Sequence, residues 1–180
     1  MAGLLRQILS LGLLGEALPP TQPEWMSAEV DHIQQSVLRH FGRSLGVRLV
    51  DAGSCNGCEL EIHALNSPQY NLAGAGIRFV ASPRHADILL VTGPVSRHME
   101  EALKRTYDAI PAPKWVVAVG DCGATGGLFG ESYAVCGGVS RIIPVTVTVP
   151  GCPPSPLRLL QGILTAVSGS APNSLPPQPE

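Results

Sequence analysis

Three apolar runs in this chain each lead into a glycine-bearing turn that carries cysteine. Val47–Val50 runs into Cys55-Asn-Gly-Cys58, Trp115–Val119 into Gly120-Asp-Cys122-Gly, and Ile142–Val149 into Gly151-Cys152-Pro-Pro154. Short runs rich in valine and isoleucine, bounded by turn residues, read as strands. Two more such runs, Ile77–Ala81 and Ile88–Val91, lie between the first and second cysteine turns. Helical patterns alternate with them at Glu59–Leu65, at Arg97–Ala109 with Met99, Ala102, Leu103 and Tyr107 on one side, and at Leu157–Val167. Strands alternating with helices predict an α/β fold, a flavodoxin-like doubly wound and mostly parallel sheet. In such sheets the loops at the carboxyl ends of the strands share one edge, and sites form there. The fold therefore predicts that Cys55, Cys58, Cys122 and Cys152 converge.

Four thiolates suit a zinc ion or an iron–sulfur cluster. Structural zinc sites favour two close cysteine pairs, whereas this chain has one pair and two single cysteines, separated by 63 and 29 intervening residues. Scattered ligands of this kind suit a cluster held within a finished fold, and glycines flank each of them. Glycine admits close backbone approach and N–H groups aimed at sulfur. The alternative is four unrelated buried cysteines, since cysteine is a common core residue. Pro153-Pro154 is expected to stiffen the last turn and to begin the following helix. Cys136 stands outside the pattern and reads as a small buried hydrophobe.

Composition narrows the setting. The 180 residues suit one domain with extra length at its ends. A net charge of −2 offers no nucleic-acid footprint. An odd count of five cysteines argues against a secreted disulfide framework and for reduced, metal-bound thiols. With 44% hydrophobic and only 14% charged residues, part of the surface is expected to lie against partners. No apolar run reaches the roughly 18 residues of a membrane span.

Residues 1–23 are expected to form an N-terminal amphipathic helix and linker, with Leu4, Leu5, Ile8 and Leu9 on its apolar side. That helix would dock on a membrane-embedded partner or the lipid interface, the alternative being its own core. Residues 24–167 are expected to form the iron–sulfur α/β domain, beginning with a helix from Ser27 to about Arg43 whose stripe is Val30, Ile33, Val37, Leu38 and Phe41. Residues 168–180, rich in Ser and Pro, read as a disordered tail.

The segments Ser54-Cys-Asn-Gly-Cys-Glu-Leu-Glu61, Ser82-Pro-Arg-His-Ala-Asp-Ile-Leu-Leu-Val-Thr-Gly93, Gly120-Asp-Cys-Gly-Ala-Thr-Gly-Gly127 and Val149-Pro-Gly-Cys-Pro-Pro154 carry a resemblance. Together they resemble the small subunit of energy-converting, membrane-bound [NiFe]-hydrogenases of the formate hydrogenlyase and hydrogenase-4 types. That group is homologous to the 20-kDa-type cluster subunit of complex I. The complex I branch carries two adjacent cysteines at the first motif; here Ser54 precedes a single Cys55, as in the hydrogenase branch. The resemblance covers roughly residues 45–165. It implies one [4Fe–4S] cluster on Cys55, Cys58, Cys122 and Cys152, proximal to a catalytic centre on a separate large subunit. It also implies a membrane-embedded complex I-like subunit and a ferredoxin-like iron–sulfur subunit as partners, and a peripheral place on the cytoplasmic face of the inner membrane.

Several residues near the motifs keep two readings. Acids in a first helical turn complement the dipole, which accounts for Glu59 and Glu61. A proton or interface role is the alternative, and Glu61 is favoured because the resemblance includes an acid there. Arg84, His85 and Asp87 read as a hydrogen-bonded turn, or as groups that touch or tune the cluster, with His85 in a proton or interface role. Asp121 is a turn residue or a functional acid. The glycines of Gly120–Gly127 lack the Gly-Lys-Ser/Thr ending and the dinucleotide spacing, so they are expected to serve the cluster loop. Three functions stay open on the sequence: a hydrogenase electron-transfer subunit, a complex I-like quinone oxidoreductase subunit without nickel–iron, and a zinc-stabilised structural subunit.

Overall fold

The structure is a computed structural model that describes Gln35 and residues 43–168. The amphipathic helix and linker of 1–23, nearly all of the helix expected over 27–43 and the tail beyond 168 lie outside the described residues. The described chain runs β1 (Leu45–Asp51), α1 (Gly57–Ala64), β2 (Ile77–Phe79), β3 (Ile88–Thr92), α2 (Arg97–Ala109), β4 (Trp115–Val119), α3 (Gly120–Thr125), β5 (Val147–Val149) and α4 (Pro156–Ser168). The five strands form one sheet in the order β2-β1-β3-β4-β5, and every pairing is parallel.

Successive strand side chains point to opposite faces, and here both faces are buried. On one face Leu45, Val47, Ile88, Leu90, Val117, Val119, Val147 and Val149 pack with Ile62 of α1 and Leu159 and Ile163 of α4. On the other, Val50, Leu89, Val91, Val116 and Ala118 pack with Leu103 of α2 and with Val139 and Ile143. All five residues of β3 are buried, as a central strand covered on both sides requires. Ala102, expected on the buried side of α2, is exposed; Leu103 is the buried residue there.

Several expected boundaries change: the strand expected over Ile77–Ala81 ends at Phe79, and the helix expected from Glu59 begins at Gly57. The run Ile142–Val149 is a strand only over Val147–Val149. Its first half follows a 3-10 turn at Val139–Arg141, and Pro144 has no N–H to give a ladder. The loop expected after Val119 is the short helix α3. The last helix starts at Pro156 rather than at Pro153-Pro154.

The strand order sets the site. The chain leaves β1 toward one side of the sheet and β3 toward the other, so a crevice opens at their carboxyl ends. Residues 52–58 follow β1, Gly93 follows β3, Cys122 follows β4 and Cys152 follows β5.

Candidate metal centre

The four cysteines ring one cavity. It measures about 130 Å³ and is lined by Ser54, Cys55, Gly57, Cys58, Gly93, Asp121, Cys122, Gly151, Cys152 and Pro153. Larger hollows of about 260 Å³ beside Arg48 and His63 and about 390 Å³ beside Arg43 and Asp87 contain no thiol. Size therefore does not mark the centre; the donor set does.

Each loop reaches the cavity for a local reason. Asp51 ends β1, and its Oδ1 accepts the N–H groups of Gly53 and Ser54, both at 2.8 Å. That turn, followed by Asn56 at φ 71, delivers Cys55 and then Cys58 in the first turn of α1. Cys58 is buried, while Cys55 and Cys152 are exposed and Cys122 lies between. Two glycines make room for sulfur. A Cβ on Gly120 (φ +77) would lie 2.8 Å from Cys58 Sγ, and one on Gly127 (φ +55) would lie 2.7 Å from Cys122 Sγ. Real side chains do not approach so closely, and positive φ suits glycine.

The thiols act on one another. Burial pushes the Cys58 thiol up to about 12, with Glu59 and then Cys122, Cys152 and Cys55 adding to it. Burial, then Cys152, Cys55 and Asp121, also raise Cys122. Thiolates packed this closely without a cation repel one another, and a bound cationic centre removes that penalty. Among the described residues no three His, Cys, Asp or Glu side chains close on a point as ligands of one ion do. Four thiols spread around a cavity, with glycine leaving space beside two of them, fit an iron–sulfur cluster.

Other expected residues fall elsewhere. His85 and Arg84 are exposed at the amino end of β3, with the length of that strand between them and the cysteines. Neither lines the cavity. Asp87 pairs with Arg43 (2.5 Å) rather than Arg84, and its Oδ2 accepts the Gly46 N–H at 2.8 Å. Of the two acids after Cys58, Glu61 is half-buried. Glu59 is the buried one, and neither of its carboxylate oxygens has a partner among the described residues. Its spacing of three from Ile62 was the available signal, since residues three apart share a helix face. Cys136 is buried on the α2 side, 3.5 Å from Glu100 Oε2, and takes no part in the ring.

Comparison with known proteins agrees with this geometry. Residues 55–166 match the family described as NADH ubiquinone oxidoreductase, 20 Kd subunit. The chain belongs to that family. The matched segment of this 20 Kd family member starts at Cys55 and takes in all four ring cysteines, α1 and β2 to β5. Formate hydrogenlyase subunit 7 of Escherichia coli is 43% identical over 145 residues, spanning 81% of this chain and 57% of the relative. The probable membrane-bound hydrogenase subunit mbhJ of Pyrococcus furiosus is 48% identical over 129 residues, 72% of this chain and 77% of the relative. Among solved structures, a chain of the membrane-bound sulfane sulfur reductase, an archaeal respiratory membrane complex, is 31% identical with a TM-score of 0.62, covering 76% of this chain and 74% of that one. A chain of the [NiFeSe]-hydrogenase of Dm. baculatum, 21% identical with a TM-score of 0.52 over 71% of this chain and 63% of its own, shares the fold.

Proposed function

We propose that this chain is the electron-transfer subunit of a membrane-bound hydrogenase complex and holds one [4Fe–4S] cluster on Cys55, Cys58, Cys122 and Cys152. The observation that carries the reading is the ring of four thiols around one cavity at the switch point of the sheet. When bound, such a cluster supplies reversible one-electron transfer. This chain's residues hold and shield it: Cys58 from within the core, Cys55 and Cys152 from the exposed rim.

The rim also supports a partner. Among the described residues the large exposed apolar side chains are Leu60, Leu128, Phe129 and Tyr133, and all belong to segments that follow the carboxyl ends of strands. Leu128 and Phe129 directly follow Gly127, which abuts Cys122. Exposed apolar groups collected at one end mark a protein contact. In this reading they face a large subunit whose [NiFe] centre interconverts H2 with two protons and two electrons. A membrane-embedded complex I-like subunit and a ferredoxin-like iron–sulfur subunit complete the complex at the cytoplasmic face of the membrane. No helix among the described residues is long and apolar enough to cross a membrane; in this reading partners and residues 1–23 attach the chain.

A second reading keeps the cluster and changes the partner: a complex I-like oxidoreductase whose large subunit lacks nickel–iron and reduces another acceptor such as quinone. The family description and the likeness to a sulfane sulfur reductase chain favour keeping it open. Two pairs of nickel-binding cysteines in the large partner's sequence decide for hydrogenase. For the cluster itself, the full chain is reconstituted anaerobically, iron and sulfide are counted, and EPR spectra are recorded after reduction. Four irons per chain and a reducible signal, both lost in Cys152→Ala, are expected. One zinc per chain with no reducible signal, or full iron in Cys152→Ala, overturns the assignment.

A further inference from the structure

Asp121 and Gly151 lie 30 residues apart and exchange two hydrogen bonds. The Asp121 N–H donates to the Gly151 carbonyl at 3.0 Å, and the Gly151 N–H donates to Asp121 Oδ1 at 2.9 Å. Both residues line the cysteine cavity, each immediately before a proposed ligand.

The need for this contact follows from the sheet. β5 is an edge strand of three residues, and its ladder with β4 ends at the pair Val119 and Val149. Past that pair β4 turns into α3 through Gly120 at φ +77. The helix directs its backbone along its own axis, so no further strand carbonyl meets the β5 side. The Gly151 N–H would then face solvent, and the Cys152 loop would hang from a short edge strand. The carboxylate supplies the missing acceptor and carries the pairing one step beyond the sheet. Asp51 performs only a local version of this within its own loop.

We propose that Asp121 is a positioning residue that clamps the Cys152 loop to the Cys122 helix and thereby sets the separation of those two thiols. The inference rests on the cluster reading above. It requires an acceptor at the Oδ1 position and does not require the charge. Asp121→Asn therefore keeps the clamp. Asp121→Glu keeps the charge but moves the acceptor by a methylene and breaks it, as Asp121→Ala does.

The test uses the full chain. Amide exchange at Gly151 is followed by NMR in the metal-free protein, and iron loss to a chelator is followed anaerobically in the reconstituted protein. Gly151 is expected to be protected in the wild type and in Asp121→Asn. Its exchange accelerates several-fold in Asp121→Ala and Asp121→Glu, and these two lose iron several-fold faster. Circular dichroism monitors folding, and if the alanine variant fails to fold, the Asn and Glu pair decides. Equal Gly151 exchange in all variants overturns the clamp, as does an Asn variant that behaves like Glu. The expected exchange pattern across the variants, together with no iron uptake by the wild type, overturns the cluster reading and leaves the clamp standing.

Discussion

Cys58 Sγ occupies the space that a side chain on Gly120 would need: a Cβ there would sit 2.8 Å from the sulfur. The first residue after β4 thus limits a thiol delivered by the first turn after β1. Gly120→Ala has two faults, a clash with Cys58 and a left-handed backbone at φ +77 that costs a non-glycine residue about 1–2 kcal/mol. The expected outcome is a less stable chain with strongly reduced iron content. Urea denaturation of the metal-free form and iron counting after reconstitution check it; full iron uptake would show that Cys58 does not ligate from this position.

Cys136 offers a matched control. It is buried among the side chains of the α2 face and contacts Glu100. Cys136→Ala is expected to destabilise the chain by about 1 kcal/mol, as small core truncations do, and to leave four irons per chain. A loss of iron equal to that of Cys122→Ala would mean that the ligand set has been misread.

The raised Cys58 thiol makes the metal-free fold sensitive to alkali. The unfolded thiol ionises near 9.0, whereas burial foremost, then Glu59 and the other ring cysteines, hold the folded one up to about 12. Between those values the unfolded state binds fewer protons than the folded state, so stability falls as pH rises. The contribution is fully present below about pH 9 and lost by about pH 12. Denaturation midpoints of the metal-free chain should therefore drop through that window, and the drop should be shallower in Cys58→Ala. Metal uptake must expel protons from these thiols, so apparent affinity for a thiophilic ion should rise with pH over the same range.

Leu128 and Phe129 are exposed in the isolated chain, at 97% and 59%. Replacing both by serine should change its stability by no more than about 0.5 kcal/mol, since surface groups carry little folding energy. Iron content should stay at the wild-type level. Co-purification with the large subunit should fall, because truncating apolar anchors at an interface centre costs about 2 kcal/mol or more. Undiminished assembly would place the partner on another face.

Much of this molecule is legible in its residues. The apolar runs Val47–Val50, Ile88–Val91 and Trp115–Val119 are strands because valine, leucine and isoleucine in short runs suit a sheet buried on both faces. The cysteine turns after β1, β4 and β5 share an edge for the topological reason that all strands are parallel. Local chemistry also accounts for the turn after β1, where Asp51 holds its own loop. Position in three dimensions decided the rest. His85 stands in a turn before a strand in the linear chain, and β3 sets it at the edge opposite the cysteines. Glu59 and Glu61 look alike in the linear chain as acids near the start of a helix, and only packing puts Glu59 inside. The half of Ile142–Val149 that leaves the sheet, and the bonds between Asp121 and Gly151, depend on where β4 stops and α3 begins. Periodicity records which faces are apolar; it carries no information about distances between segments 30 or more residues apart, and those distances decide which thiols share a cavity and which carboxylate clamps them.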